Sequence, residues 1–172
     1  MRRPISLLVL LAPALLGCRG EEAADRAAAG DEAADSAFAE LQERGASPEA
    51  MGVDQYTSTH VFEDLPDGGR IELQLDAEDP AGVDQIRRHL QDIAGRFAAG
   101  DFAIPGFVHD TEDVPGTEVM TRKADTIAYE FGELPHGGEV RMRTSDEEAV
   151  RAIHEFLAFQ RSDHRTEGHQ AH

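Results

Sequence analysis

The sequence predicts an α+β domain made of two copies of a ββα unit, with an antiparallel sheet and two helices packed on one of its faces. The first observation is a repeat: segment 62–73 recurs as segment 131–142, with Phe, Leu, Pro and two Gly at one fixed offset. The second is an alternation of apolar and polar residues beside each Leu-Pro-x-Gly-Gly sequence, typical of strands with one solvated face. The third is an amphipathic helical pattern after each hairpin. A repeat of one supersecondary unit indicates a duplicated domain.

The N-terminal segment 1–18 predicts a bacterial lipoprotein signal. Two arginines precede an apolar run from Ile5 to Leu16 that is too short to span a bilayer. Leu15-Leu16-Gly17-Cys18 resembles a lipobox, in which the cysteine is acylated and becomes the new N-terminus. Because Cys18 is the only cysteine, the mature chain has no thiol for an internal disulfide, for nucleophilic catalysis or for a metal.

Charge limits the classes of partner. The formal net charge is −18, and removal of Arg2 and Arg3 with the signal would leave −20. A surface this acidic repels phosphate backbones, which excludes nucleic acid as an expected partner. No polybasic patch adds to the lipid anchor, so the membrane is expected to be contacted through the anchor alone. The residue after the cysteine is Arg19, and not the Asp that favours inner-membrane retention in enteric bacteria. These features predict extracytoplasmic display in the cell envelope, on the outer membrane in a Gram-negative organism.

Segment 19–55 predicts a disordered tether rich in alanine and acidic residues. It has no sustained apolar face, although a short helix over 37–42 is compatible with its composition. As a flexible coil it would reach roughly 35 Å from the membrane. The folded domain is then expected over 56–164, with an insertion at 100–125, and a histidine-containing tail over 165–172.

Each copy of the repeat predicts a hairpin. In the first copy Ile71, Leu73 and Leu75 alternate with polar residues, and Pro66-Asp67-Gly68 fits a tight turn with glycine in the left-handed region. The second copy has the same alternation around the turn Pro135-His136-Gly137. Gly68 and Gly137 are therefore predicted to occupy equivalent positions.

A helix is predicted after each hairpin. The first begins near Asp79-Pro80, and the second begins near Ser145 or Asp146 with an acidic residue in its first turn. Their apolar stripes match when two residues are removed between strand and helix, which aligns Val83, Ile86 and Leu90 with Val150, Ile153 and Leu157. The insertion has no counterpart in the second copy. Within it, 102–109 predicts an extended segment packed on the domain, and 115–120 predicts a turn or a short helix. Long ordered connections often house function.

The domain contains several distinctive motifs: Arg88-His89-Leu90, Gly100-Asp101-Phe102 with Pro105 and Val108-His109, Val114-Pro115-Gly116 with Met120, and Ile153-His154-Glu155-Phe156-Leu157-Ala158-Phe159-Gln160 with Asp163-His164. Over residues 58 to 165 they resemble those of a family of small bacterial exported proteins of undefined biochemistry. Some members of the family carry the label aspartate carbamoyltransferase. This chain lacks the Ser-Thr-Arg-Thr-Arg loop with which that enzyme binds carbamoyl phosphate, and its charge disfavours a dianionic substrate.

Histidine is the residue type that carries the chemical prediction, because the catalytic and phosphate-binding signatures Gly-x-Ser-x-Gly, His-Glu-x-x-His and the phosphate loop are absent from the sequence. His89, His109 and His154 are expected to converge near the insertion, with Met120 as a fourth ligand. A His₃Met set suits copper, whose reduced form accepts a thioether. Gln160 and His164 extend the stripe of the second helix and are further candidates. The alternatives are histidines bonded to the backbone, a core Met120 and a solvated tail.

Three functional hypotheses follow. The chain is a tethered metal-binding module with copper as the favoured metal, an enzyme that uses His109 or His154 as a general base beside a carboxylate, or an interaction module that binds another envelope protein without a ligand. The sequence does not decide whether the chain is an enzyme, and the metal-binding module is the preferred hypothesis. A deep pocket with a His–Asp or His–Glu pair would favour the enzyme, and an exposed apolar patch on an otherwise charged surface would favour the interaction module.

Overall fold

The computed structural model describes residues 19–52 and 54–166. The predicted signal segment with Cys18 and most of the predicted tail lie outside the described residues. Contacts divide the chain into two units, 1–36 and 37–172. Within the described ranges no helix is long and apolar enough to cross a membrane.

The segment predicted as a tether differs from the expectation, because it forms helix α1 over Arg19–Gly45. Alanine, glutamate and arginine are strong helix formers, so the composition that suggested low complexity also favours a helix. The last turns of α1 belong to the domain: Leu41 is buried and Arg44 Nε donates to the carbonyl of Val108 at 2.8 Å. The short helix expected over 37–42 is thus the end of a longer one.

The domain is an α+β fold, as predicted. A four-stranded antiparallel sheet has the order β1-β2-β4-β3. Its strands are β1 Ser58–Leu65, β2 Gly68–Leu75, β3 Ala128–Leu134 and β4 Gly137–Arg143, and the further helices are α2 Pro80–Ala98, α3 Ala103–His109, α4 Thr117–Arg122 and α5 Glu147–Asp163. Single turns of 3₁₀-helix at Gln55–Thr57 and Ala124–Thr126 lead into β1 and β3.

The two copies are related by a twofold arrangement centred between β2 and β4. Ile71 pairs with Val140, its own equivalent 69 positions later. Both Pro-containing turns connect the strands of a hairpin, as expected. A positive φ is found at Gly68, where it is 140°, but not at Gly137, so the two glycines differ in backbone conformation.

The helices are exchanged between the copies. Helix α2, from the first copy, packs mainly on β3 and β4, whereas α5, from the second copy, packs on β1 and β2. The sheet face that they cover carries the core, whose largest fully buried side chains include Phe97, Phe156 and Met120.

The exchange of the helices explains why His154 lies at the first hairpin turn. Its Nε2 lies 3.0 Å from the carbonyl oxygen of Leu65 and 2.9 Å from that of Gly68, at the first hairpin turn. The equivalent residue on α2 is Arg87, which donates to the carbonyls of Leu134 and Gly137 at 2.9 and 3.1 Å, at the second turn. His154 therefore binds the carbonyls of the first hairpin turn, as Arg87 binds those of the second.

The insertion is helical where an extended segment was predicted. Helix α3 spans Ala103–His109, and Asp101 Oδ1 accepts a hydrogen bond from the Ala103 backbone N–H at 2.9 Å. Pro105 lies in the first turn, where its missing N–H leaves no intrahelical bond unmade, so a proline at this position is compatible with a helix. Helix α4 agrees with the short helix expected after residue 115.

Candidate functional site: a buried histidine cluster

Four histidines and one methionine border a single cavity of about 70 Å³ inside the domain. Helices α2, α3 and α5, strand β1 and the loop after α1 surround it. We call the set the histidine cluster; its members are Met51, His60, His89, His109 and His164. Most of the other side chains that border the cavity are apolar, among them Phe62, Leu90, Phe97 and Phe156.

His60 is placed in the cavity by the period of β1. It lies two residues before Phe62 and so faces the helices with it, and it is 5% exposed. Its Nε2 is 3.2 Å from Met51 Sδ, while its Nδ1 is buried without a hydrogen-bond partner. Burial, together with nearby His89, lowers the pKa of His60 to about 4. A neutral imidazole with an unpartnered buried nitrogen is costly unless a ligand satisfies it.

His164, at the end of α5, has a fixed tautomer. Gln55 Nε2 donates to the His164 backbone carbonyl at 2.9 Å, which leaves Gln55 Oε1 to accept from His164 Nδ1 at 2.8 Å. Because Nδ1 carries the proton, Nε2 carries the lone pair. Burial, with His60 and His109 as neighbours, holds the pKa of His164 well below its ordinary value. The rings of His60 and His164 are stacked, with centroids 5.4 Å apart.

His109, at the end of α3, is held by two residues of α5. Its Nδ1 is 2.5 Å from Asp163 Oδ2 and its Nε2 is 3.0 Å from Gln160 Oε1. The Gln160 Nε2 atom is buried without a partner. Exchanging the oxygen and nitrogen of this amide gives His109 Nε2 a donor and leaves Nδ1–H bonded to Asp163. In that arrangement His109 is neutral and carries its lone pair on Nε2.

His89 approaches the cavity from α2. Burial lowers the pKa of His89 to about 4, against the opposing effects of Asp92 and of a hydrogen bond to the Ala50 backbone. Two of the four histidines have an outer side-chain hydrogen-bond partner, which is Asp163 for His109 and Gln55 for His164. Such partners orient the imidazoles of metal sites and fix their tautomers. Neutral imidazole is also the form that binds a metal.

The structure separates the residues predicted as ligands. His89 and His109 border the cavity, and so do the further candidates Gln160 and His164. Met120 is fully buried in the hydrophobic core, and neither it nor His154 borders this cavity. The predicted set of His89, His109, Met120 and His154 is therefore not assembled.

Sequence reasoning missed two members of the cluster. The signal for His60 is its register with Phe62, which alternation along the strand places on the same inward face. Met51 lay in the segment interpreted as a tether and had no signal of that kind.

The side-chain positions do not form a ready coordination site. Among the described residues, no group of three or more His, Cys, Asp or Glu side chains is placed so that it could hold a metal ion. The imidazole rings would have to turn within the cavity, and Gln160 would have to release His109 Nε2.

The duplication supplies an internal comparison for the cluster. By the offsets of the repeat, Tyr129 is the equivalent of His60, Phe97 of His164 and Ile93 of Gln160. Phe97 and Tyr129 form an edge-to-face pair with centroids 5.9 Å apart. In the other copy the equivalent positions are therefore filled mainly by apolar rings. The fold alone does not require histidines at the positions of His60 and His164.

Comparison with protein-family models, with curated proteins and with solved structures found no match to this chain. The geometry and chemistry of the site are therefore what indicate its function.

Proposed function

We propose that this chain is a lipid-anchored protein of the bacterial cell envelope whose domain binds one transition-metal ion, with copper favoured, in the histidine cluster. The observation that supports this most directly is the buried His60 Nδ1, which has no hydrogen-bond partner and lies near other histidines of the cluster, among them His164, whose pKa is also lowered by burial. Imidazole nitrogens and a thioether are donors that copper prefers.

The cavity that all five members of the histidine cluster border is small enough to favour an ion over an organic substrate, and only His60 and His164 also border a second, larger recess of about 320 Å³. A volume of about 70 Å³ has room for an ion or a few water molecules. Pockets for organic ligands are typically several hundred Å³.

The enzyme hypothesis has one observation in its favour, the contact between His109 and Asp163. A general base also needs a free nitrogen that faces a substrate, and His109 Nε2 is bonded to Gln160 instead. The same carboxylate–histidine contact is the usual outer partner of a metal-binding histidine. The metal hypothesis accounts for the contact and for the small cavity together.

A ligand-free interaction module finds little support on the surface. Within the described ranges the exposed large hydrophobic residues are Tyr56 and Phe107. Two such side chains are normal for a soluble surface and do not amount to the extensive apolar patch typical of a docking site.

The test replaces two members of the cluster with the equivalent residues of the other copy. The double substitution His60→Tyr and His164→Phe copies Tyr129 and Phe97, so it removes two donors and keeps an aromatic pair. Because His169 and His172 are also metal donors, both are changed to Gln in every protein compared. We expect the reference chain to bind one equivalent of copper, and the double variant to lose at least about 100-fold in affinity, or roughly 3 kcal/mol.

The matched control for this titration is His154→Arg, which copies Arg87 and keeps a donor to the first hairpin turn. We expect it to bind copper as the reference chain does. Sub-stoichiometric binding of both copper and zinc by the reference chain would contradict the proposal, as would equal affinities of the reference chain and the double variant. The interaction module would then be the leading hypothesis.

The anchor gives a separate prediction. Cys18→Ser removes the only acylation site that the lipobox offers, so we expect the protein to move from the detergent phase to the aqueous phase in phase partitioning. Gly17→Ala, which keeps a small residue before the cysteine, is the control and should stay in the detergent phase. Unchanged partitioning of Cys18→Ser would exclude a lipid on this residue.

A further inference from the structure

We propose that Met51 is a ligand in the histidine cluster and that it makes the site selective for the reduced ion, Cu(I). This inference rests on the proposed function. It assigns a role to a residue outside the predicted ligand set and names the oxidation state of the metal.

The backbone around Met51 is fixed from two sides. The Met51 N–H donates to the carbonyl of Gly45 at the end of α1, at 3.0 Å. Gln85 on α2 donates through Nε2 to the carbonyl of Gly52 at 2.8 Å. These bonds hold the loop against α2 while the Met51 side chain borders the cavity. These hydrogen bonds therefore position the Met51 thioether at the cavity.

The sulfur lies beside a nitrogen donor. Met51 Sδ and His60 Nε2 are 3.2 Å apart, and the other nitrogen of the same ring is the unpartnered one. In the proposed site the His60 ring turns slightly, so that one of its nitrogens and the Met51 sulfur face the same ion. Thioether sulfur is a soft donor that favours Cu(I), while divalent zinc favours imidazole, thiolate and carboxylate.

The lack of charged side chains among the described residues around the cavity also favours Cu(I). The cluster offers four imidazoles and a thioether, all neutral when a metal is bound. The nearby carboxylates, Asp163 and Asp92, act on His109 and His89 and do not border the cavity. The cost of burying an ion rises with the square of its charge, so a monovalent ion is placed in this apolar cavity at far lower cost than a divalent one.

The competing interpretation is that Met51 only packs against His60. Leucine has a similar volume, and exchanges between Leu and Met in cores usually cost less than about 1.5 kcal/mol. Met51→Leu therefore removes the sulfur with little effect on packing. Met120→Leu, at the fully buried methionine of the core, is the matched control because it removes a sulfur that does not border the cavity.

The experiment compares Cu(I), Cu(II) and Zn(II) on the full chain with Cys18 changed to Ser and with His169 and His172 changed to Gln, because a free thiol would itself bind Cu(I). Cu(I) is kept reduced with ascorbate without oxygen and is titrated against a chromophoric Cu(I) chelator; Cu(II) and Zn(II) are titrated separately. We expect Cu(I) to bind at least about 100-fold more tightly than Zn(II). Met51→Leu should weaken Cu(I) by about tenfold or more and change Zn(II) and Cu(II) by less than about twofold. X-ray absorption should show copper–sulfur scattering that is lost in Met51→Leu and kept in Met120→Leu.

The outcomes separate this inference from the proposed function. If His60→Tyr with His164→Phe removes Cu(I) binding but Met51→Leu leaves Cu(I) affinity and the sulfur signal unchanged, the metal site stands and the role of Met51 is wrong. The same holds if Met51→Leu weakens all three ions equally, or if Zn(II) binds as tightly as Cu(I). If the reference chain binds none of the ions, the proposed function itself fails.

Discussion

Lowering the pH from 7 to 5 is expected to destabilise the metal-free protein by about 2 kcal/mol through His60 alone. Burial lowers the folded-state pKa of His60 to about 4, whereas an unfolded histidine titrates near 6.5. The unfolded chain therefore binds a proton between these values that the folded chain does not. The contribution of His60 to stability is fully present above the unfolded pKa and is lost as the pH falls toward 4.

The groups that face His60 and its neighbours set the size of this effect. The pKa values of His89 and His164 are also lowered by burial, so both add to the loss in the same direction. Asp92 beside His89 opposes the lowering of its pKa, and Asp163 contacts His109. The pKa of Asp146 is lowered by Lys123. The stability that such a carboxylate contributes is lost only when the pH falls below the ordinary pKa range of carboxyl groups. The interval from pH 7 to pH 5 therefore reports mainly on the cluster.

Urea unfolding of the metal-free chain at pH 7, 6 and 5 measures this loss. The double substitution His60→Tyr and His164→Phe is the control, because it removes two of the groups that titrate and keeps the aromatic packing of the other copy. We expect the double variant to lose clearly less stability than the parent over the same interval. Equal losses in the two proteins would show that other groups cause the pH dependence.

The repeat made the units of the fold predictable, but not the exchange of the helices. Alternation in the strands and the apolar stripes around Ile86 and Ile153 specify two hairpins and two amphipathic helices. The apolar stripe of a helix is buried equally well against its own hairpin and against the hairpin of the other copy. No local sequence pattern therefore decides which hairpin the helix covers.

The candidate site was only partly predictable for a related reason. His89 and His109 were identified because they lie at the boundaries of amphipathic segments, and they border the cavity. His60 was overlooked, although strand alternation places it on the same face as Phe62. The alignment of the copies also pairs His154 with Arg87, which already suggests a role shared by both helices and unrelated to a metal. Met51 depends on a loop and on the end of α1, whose packing has no counterpart in the repeat.

Alanine at Gly68 or at Gly137 is expected to destabilise the domain by at least about 2 kcal/mol. A Cβ at Gly68 would lie 2.2 Å from the carbonyl oxygen of Met142, and one at Gly137 would lie 2.0 Å from that of Leu73. Both contacts are with the backbone of the neighbouring central strand, so a side-chain rotation cannot relieve them. Gly68→Ala also strains a φ of 140°, which adds roughly 1 kcal/mol and should make it the more damaging of the two.

Gly95→Ala is the control for this prediction, since nothing lies within 4 Å of a Cβ at that position of α2. Replacing a glycine inside a helix by alanine should stabilise the domain by up to about 1 kcal/mol. Urea unfolding of the three variants therefore separates the removal of a glycine from the close approach of β2 and β4. If Gly137→Ala were as stable as the parent, the two central strands would be farther apart at that end. The equivalence of the two turns would then hold in sequence but not in packing.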